Sequence, residues 1–147
     1  MSKLGINYNT KCELDTTPTA EEPTWSDMGY VFSNISQSLN EVITQMSYLS
    51  DGGWGSSEVT GGQLTVTFTG HRREGDVVSD YLTGKDVQYS FGEARKTKMR
   101  ITVGAQQIVW AVTLANITCG GGDANQPDAL TLTVHGNGRP EFTTVTQ

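Results

Sequence analysis

Between Gly61 and Gly84 the hydrophobic pattern changes period once. Leu64, Val66 and Phe68 alternate with Thr65, Thr67 and Thr69, the period of two of a strand with one buried face. A polar turn follows, Gly70-His71-Arg72-Arg73-Glu74-Gly75. Val77, Val78, Tyr81 and Leu82 then fall at i, i+1, i+4 and i+5, one face of a short helix. Asp76 stands where an N-cap belongs, and Gly84 at the C′ position that stops the helix. A helix this short is not stable alone, so these four side chains are expected to pin it onto the outside of a sheet.

The rest of the chain reads mainly as strands. Gly29 to Tyr48 gives two, with a bend near Ser38 to Asn40. Tyr30, Phe32, Val42, Met46 and Tyr48 share one parity, and Val31, Ile35, Leu39 and Ile43 the other, which suggests cover on both faces or a change of face at the bend. Val87 to Phe91 alternates weakly. Lys96, Lys98 and Arg100 alternate with Thr97, Met99 and Ile101, a strand with a basic outer face. Ile108 to Ile117 is apolar on both sides and is the expected central strand. Gly120-Gly121-Gly122-Asp123 breaks it. Ala129 to His135 is buried on one face through Leu130, Leu132 and Val134, and Glu141 to Val145 is a short last strand.

Two segments lack a clear period. Residues 1–24 read as an extended N-terminal arm: a short possible strand, Leu4 to Tyr8, then a Thr/Pro/Glu-rich stretch, residues 16–23, with little to bury. Residues 50–62 form a long loop with five glycines and one Trp. A Trp flanked by glycines is costly to leave in water and favours an interface, so Trp54 is the expected anchor, the alternative being that it folds back onto its own sheet.

Twenty Thr, seventeen Gly and four Pro in 147 residues favour strands joined by Gly-rich turns. The fold class expected is a single all-β domain with one short α-helix, an antiparallel sandwich or barrel of seven or eight strands. No apolar run is long enough to span a bilayer as a helix, and the N-terminus has no secretory h-region. Cys12 and Cys119 lack CxxC spacing and read as reduced thiols, a disulfide between them being the alternative. Residues 1–65 set Lys3 and Lys11 against eight carboxylates, whereas residues 66–147 balance eight cations with eight anions. Neither part has the clustered basic excess of a nucleic-acid grip.

Enzyme chemistry needs convergent groups. His71 and His135 have no partner at metal-ligand spacing, and no nucleophile elbow, phosphate-binding loop or dinucleotide fingerprint occurs. Gly122-Asp123-Ala124-Asn125 offers too few oxygens for calcium. Two glycosylation sequons, at Asn34 and Asn116, lie in expected strands and read as chance. No catalysis, metal or cofactor is expected. Arg72, Arg73, Lys96, Lys98 and Arg100 are either a solvated face matched to Glu74, Asp76 and Glu93 or a contact with the acidic part of another copy.

A Thr-rich strand ending in Gly and a basic turn, followed by Gly75-Asp76 opening a helix, resembles the tail tube proteins of long-tailed bacteriophages, of the siphophage type. Trp25-Ser26-Asp27, the Gly-rich hairpin tip Asp51-Gly52-Gly53-Trp54-Gly55, the loop at 122–125, the strand at 130–135 and Gly138-Arg139-Pro140 occur in matching order. The resemblance implies a β-sandwich in stacked hexameric rings, a virion protein made in the bacterial cytoplasm. Its partners would be further copies of itself, a tape-measure protein, and tail terminator and distal tail proteins. Double-stranded DNA would pass through without sequence-specific binding. On this view Asp51, Gly52, Gly53 and Trp54 contact the next ring. Glu41 and Gln45 face an acidic-to-neutral channel. Tubes of contractile or DNA-free tail-like particles fit as well. The competing class is a lectin-like or adhesin-like binding module on a particle surface.

Overall fold

The computed structural model describes residues 4–144, and within them ten strands and two short helices. The strands are β1 (Lys11–Asp15), β2 (Trp25–Asp27), β3 (Phe32–Ser38), β4 (Val42–Met46), β5 (Ser56–Gly61), β6 (Thr65–His71), β7 (Lys96–Val103), β8 (Gln106–Cys119), β9 (Ala129–Gly136) and β10 (Glu141–Thr144). Helices α1 (Val77–Thr83) and α2 (Lys85–Gln88) lie between β6 and β7. Eight strands form one antiparallel sheet in the order β2-β1-β7-β8-β9-β6-β3, with β10 beside β8. Strands β4 and β5 form a separate two-stranded sheet.

The topology forces the large sheet to curl. Seven strands side by side would span roughly 29 Å if flat. Its two edge strands, β2 and β3, are consecutive in sequence, and the chain from Asp27 to Phe32 reaches at most about 18 Å. The sheet therefore wraps a single core. Leu14, Val66, Phe68, Met99, Ile101, Val112, Leu114, Leu130, Leu132 and Val134 point into it. Strand β8 is central, as its apolar run predicts. Only Trp110, Val112 and Leu114 of its middle point inward, and Ala111 is exposed. A bulge between Ala115 and Thr118, with Asn116 at φ 51, then shifts parity so that Ile117 is buried too.

The helix expected from Val77 to Leu82 is present. The Asp76 carboxylate accepts the Val78 and Ser79 N–H groups at 3.0 and 3.3 Å, satisfying two orphan donors of the first turn. Val78 and Leu82 are buried in the common core and Tyr81 packs against it, but Val77 is 59% exposed and pins nothing. The helix covers the concave face of the sheet, not its outside, because its apolar residues share one core with the inward strand residues. Gly84 is not a left-handed cap. It is extended, at φ −66 and ψ 149, and leads directly into α2. Of the segment Val87 to Phe91, expected to alternate weakly, Val87 and Gln88 therefore lie in a second helical turn that buries Val87, and Tyr89 and Phe91 beyond it are exposed.

The N-terminal region departs most from expectation. Leu4 to Tyr8 is no strand, and a 3₁₀ turn occupies Asn7–Asn9. Lys11–Asp15, expected to be arm, is a strand of the main sheet with Cys12 to Asp15 all buried. Cys12 and Leu14 face the core. Glu13 is paired on the other face by Arg100. Asp15 Oδ1 accepts the N–H groups of Thr17 and Thr24 at 2.9 and 3.2 Å, which staples the Thr/Pro/Glu stretch into a loop between β1 and β2. The last strand begins at Glu141 as expected and is described to Thr144. Val145 lies outside the described residues.

Candidate assembly surface

The segment from residue 50 to 62 is half of a projecting hairpin. Strand β5 pairs with β4, from Val42↔Gly61 to Met46↔Ser56, and every residue of β5 is exposed. Asp51 orders the tip: its carboxylate accepts the Tyr48 N–H at 3.0 Å, and its carbonyl accepts the Trp54 N–H at 3.2 Å. Gly52 and Gly53 take left-handed φ values of 62 and 93 there, which glycine adopts without strain. Trp54 is 83% exposed, and Tyr48, Leu49, Val42, Ile43 and Val59 are exposed with it. Exposed apolar residues gathered on one projection mark an interaction site. Residues 38–64 carry Glu41, Asp51 and Glu58 and no Lys or Arg. Glu41, just before β4, and Gln45, next to its last residue, are exposed.

The basic residues divide. Arg100 makes a bidentate pair with Glu13, at 3.1 and 2.7 Å, and lies 4.6 Å from the Trp25 ring centroid. It is thus committed within the chain, tying β1, β2 and β7 together. Arg72 is 3.5 Å from Glu74 and 3.7 Å from Asp128, and Lys96 is 3.2 Å from Glu93. Of the five candidates only Arg73 and Lys98 are exposed and have no ion-pair partner among the described residues.

Sequence reasoning missed a second surface. On the outer face of β3, β6, β9 and β8 the register stacks three cross-strand rows: Asn34-Thr69-Thr131-Thr118, Ser36-Thr67-Thr133-Ala115 and Ser38-Thr65-His135-Thr113. Hydroxyls and one amide dominate, and His135 is the single titratable group in the grid. The charged residues of the sheet's outer face gather instead on β1 and β7 and on the strands beside them, β2 and β10. Alternating Thr positions were visible in β6 and β9, but only the pairing joins them with the Asn34, Ser36 and Ser38 positions of β3 and with β8 into one wall.

The described residues hold no cluster of three or more His, Cys, Asp or Glu suited to a metal, and no helix long and apolar enough to cross a membrane. A cleft of about 340 Å³ beside β3 is lined by Tyr8, Cys12, Met28, Phe32, Ile35 and Phe68 among others. Its one thiol is held neutral: burial first, then the Asp27 and Glu13 carboxylates, push Cys12 up to about 11. Both cysteines are free.

No protein-family model and no curated protein sequence matches the chain. Solved structures do. A chain from the tail of an empty gene transfer agent particle, refined helically with C6 symmetry, superposes with a TM-score of 0.72 at 14% identity, covering 95% of this chain and 99% of that one. A chain from the virion of a native gene transfer agent particle gives 0.70 at 14% identity, with coverages of 95% and 99%. A chain from the sheath-tube complex of an extracellular contractile injection system, in its extended state, gives 0.60 at 12% identity, with coverages of 99% and 95%. At such identities the likeness is one of fold, and it runs end to end: the chain has the antiparallel β-fold of the tail tube type.

Proposed function

We propose that this chain is a structural subunit of a tail tube, which joins with copies of itself into rings of six that stack into a tube within a phage-like virion. The observation that carries the reading is the β4–β5 hairpin: an apolar, acidic projection with both faces in solvent, on a fold shared end to end with a chain of a C6-symmetric tail. A heterologous side contact that closes makes a ring, and a ring-on-ring contact that does not close makes a filament. Pairing of the open edge strand β3 with a neighbour would remove an exposed edge at the same time. In this reading residues 50–62 cross to the adjacent ring, with Asp51 to Trp54 as the contact, and Arg73 and Lys98 meet the acidic half of a neighbouring copy. Glu41, Gln45 and the hydroxyl face offer double-stranded DNA a wall without cations, along which it slides. A tape-measure protein, a terminator and distal tail proteins would bound the tube, and synthesis would be in the bacterial cytoplasm. Catalysis has no part in it. The likeness to the injection-system chain favours a second reading, the tube of a contractile or DNA-free particle.

Negative-stain microscopy of the purified protein tests the proposal. Rings or long tubes are expected, and monodisperse single subunits at high concentration would sink it. Deleting Asp51 to Gly55 should abolish stacking, and Trp54→Ala should weaken it by roughly 2 kcal/mol. Tubes of normal length and stability in the deletion would exclude an inter-ring role for the hairpin. A sheath around the tube in intact particles would favour the contractile reading.

A further inference from the structure

Among the described residues, strands β4 and β5 pair with each other and with no other strand. The hairpin is thus tied to the main sheet through two single-chain linkers, residues 39–41 and 62–64. Gly61 and Gly62 at the second add backbone freedom, and such a junction would by itself let the hairpin swing. One side chain bridges both linkers. Asn40 sits at φ 45, in the left-handed region that Asn tolerates better than most residues with a Cβ. Its Nδ2 donates to Gln63 O at 3.2 Å and to Thr65 Oγ1 at 2.6 Å. Its Oδ1 accepts from Ser38 Oγ at 3.2 Å. Around it, Gln63 N donates to Leu39 O at 2.7 Å, Gln63 Nε2 to Gly136 O at 3.2 Å, and Gly136 N to Leu64 O at 2.8 Å. The outgoing linker is thereby fastened to the returning linker and to the start of β6, and the returning linker to the end of β9.

We propose that Asn40 is a positioning residue whose amide clamps the two linkers, holding the hairpin at one angle to the main sheet before any partner arrives. Glycine could supply the left-handed turn but no clamp. Aspartate could keep the acceptor but would lose both donors. A hairpin already set need not be ordered at the moment of contact, which removes part of the cost of association. The clamp rests on the geometry alone. Its consequence for assembly rests on the tube reading.

Spin labels at Ser57→Cys on β5 and Lys98→Cys on β7, in a Cys119→Ser background, measure the hairpin's angle through their distance distribution. Cys12, buried and with its thiol pushed up to about 11, stays unlabelled. The parent should give a narrow distribution. Asn40→Ala and Thr65→Val should each broaden it. The double variant should be no broader than Asn40→Ala, because both remove one shared bond. Asn40→Gly should broaden it as well, although it keeps the backbone turn. The concentration needed for tube formation should rise roughly two- to tenfold in Asn40→Ala, as expected for one net hydrogen bond. A distribution as narrow in Asn40→Ala as in the parent overturns the clamp, and Thr65→Val decides in the same way if Asn40→Ala does not fold. Distances that behave as stated, together with an unlabelled chain of unaltered sequence that forms no tubes, leave the clamp standing and remove the tube reading.

Discussion

Gly70 shows how one residue can decide a junction. It lies in β6 opposite the bulge of β3 between Phe32 and Asn34, where a Cβ would run into the Val31 carbonyl. Its φ is not left-handed, so what it supplies is room. Gly70→Ala should therefore cost about 1–3 kcal/mol, the range for overpacking, read as a lowered denaturation midpoint. An unchanged midpoint would mean that β3 shifts freely. Cys12 carries a pH dependence with a defined sign. Its thiol is raised from an ordinary 9.0 to about 11. Below pH 9 both folded and unfolded chains keep the proton. Between pH 9 and 11 the unfolded chain loses it first, so stability falls as pH rises through the folded value. That loss should amount to about 2–3 kcal/mol, seen as a difference between the parent and Cys12→Ala in denaturant titrations across this range. Parallel curves would show that the thiol is not desolvated.

At the scale of elements, α1 persists through packing, since seven residues are too few for a helix to stand alone. Leu82 is fully buried, and Leu82→Ala should cost about 2–5 kcal/mol. Val77→Ala, on the same helix but exposed, should stay within about 0.5 kcal/mol. Equal melting temperatures for the two variants would overturn this assignment of faces. Strand β1 carries the opposite lesson. Lys11-Cys12-Glu13-Leu14-Asp15 alternates as a strand should, yet the adjoining Thr/Pro/Glu-rich stretch, with little to bury, put it inside an expected arm. Arg100 and the backbone N–H groups of Thr17 and Thr24 satisfy those carboxylates, and a charge so paired can be buried.

At the scale of the whole molecule, the outer surface separates into a charged half on β1, β7 and the strands beside them, a hydroxyl half on β3, β6, β8 and β9, and an acidic apolar hairpin. If the hydroxyl half and Glu41 line a channel in the proposed tube, six copies per ring repeat every lining residue sixfold. Glu41→Gln should leave assembly and DNA passage unchanged. Glu41→Lys should make tubes that retain DNA at low salt and release it steeply as salt rises, because phosphate contacts exchange with counterions. Genome ejection at the parent rate from Glu41→Lys particles in low salt would exclude Glu41 from the wall, as would a reconstruction with Glu41 on the outer surface.

What the amino-acid sequence determined by itself is whatever depends on neighbours a few residues apart. The inward face of β6, β7 and β9, the Asp76 cap and the start of α1 all follow from periodicity and local hydrogen bonding, which act over one turn or one strand. The central place of β8 follows from the density of its apolar residues. Tertiary structure decided what depends on partners far along the chain. Glu13 and Arg100 are 87 residues apart in sequence, and only their pairing turns an apparent arm into a core strand. The hydroxyl wall needs the register of four strands, each of which shows only an alternation. The hairpin's exposure, and the Asn40 contacts that set its angle, arise because β4 and β5 find no partner in the main sheet. A period states which side chains share a face. Which face another strand covers is a long-range choice, made by the free energy of the whole curled sheet.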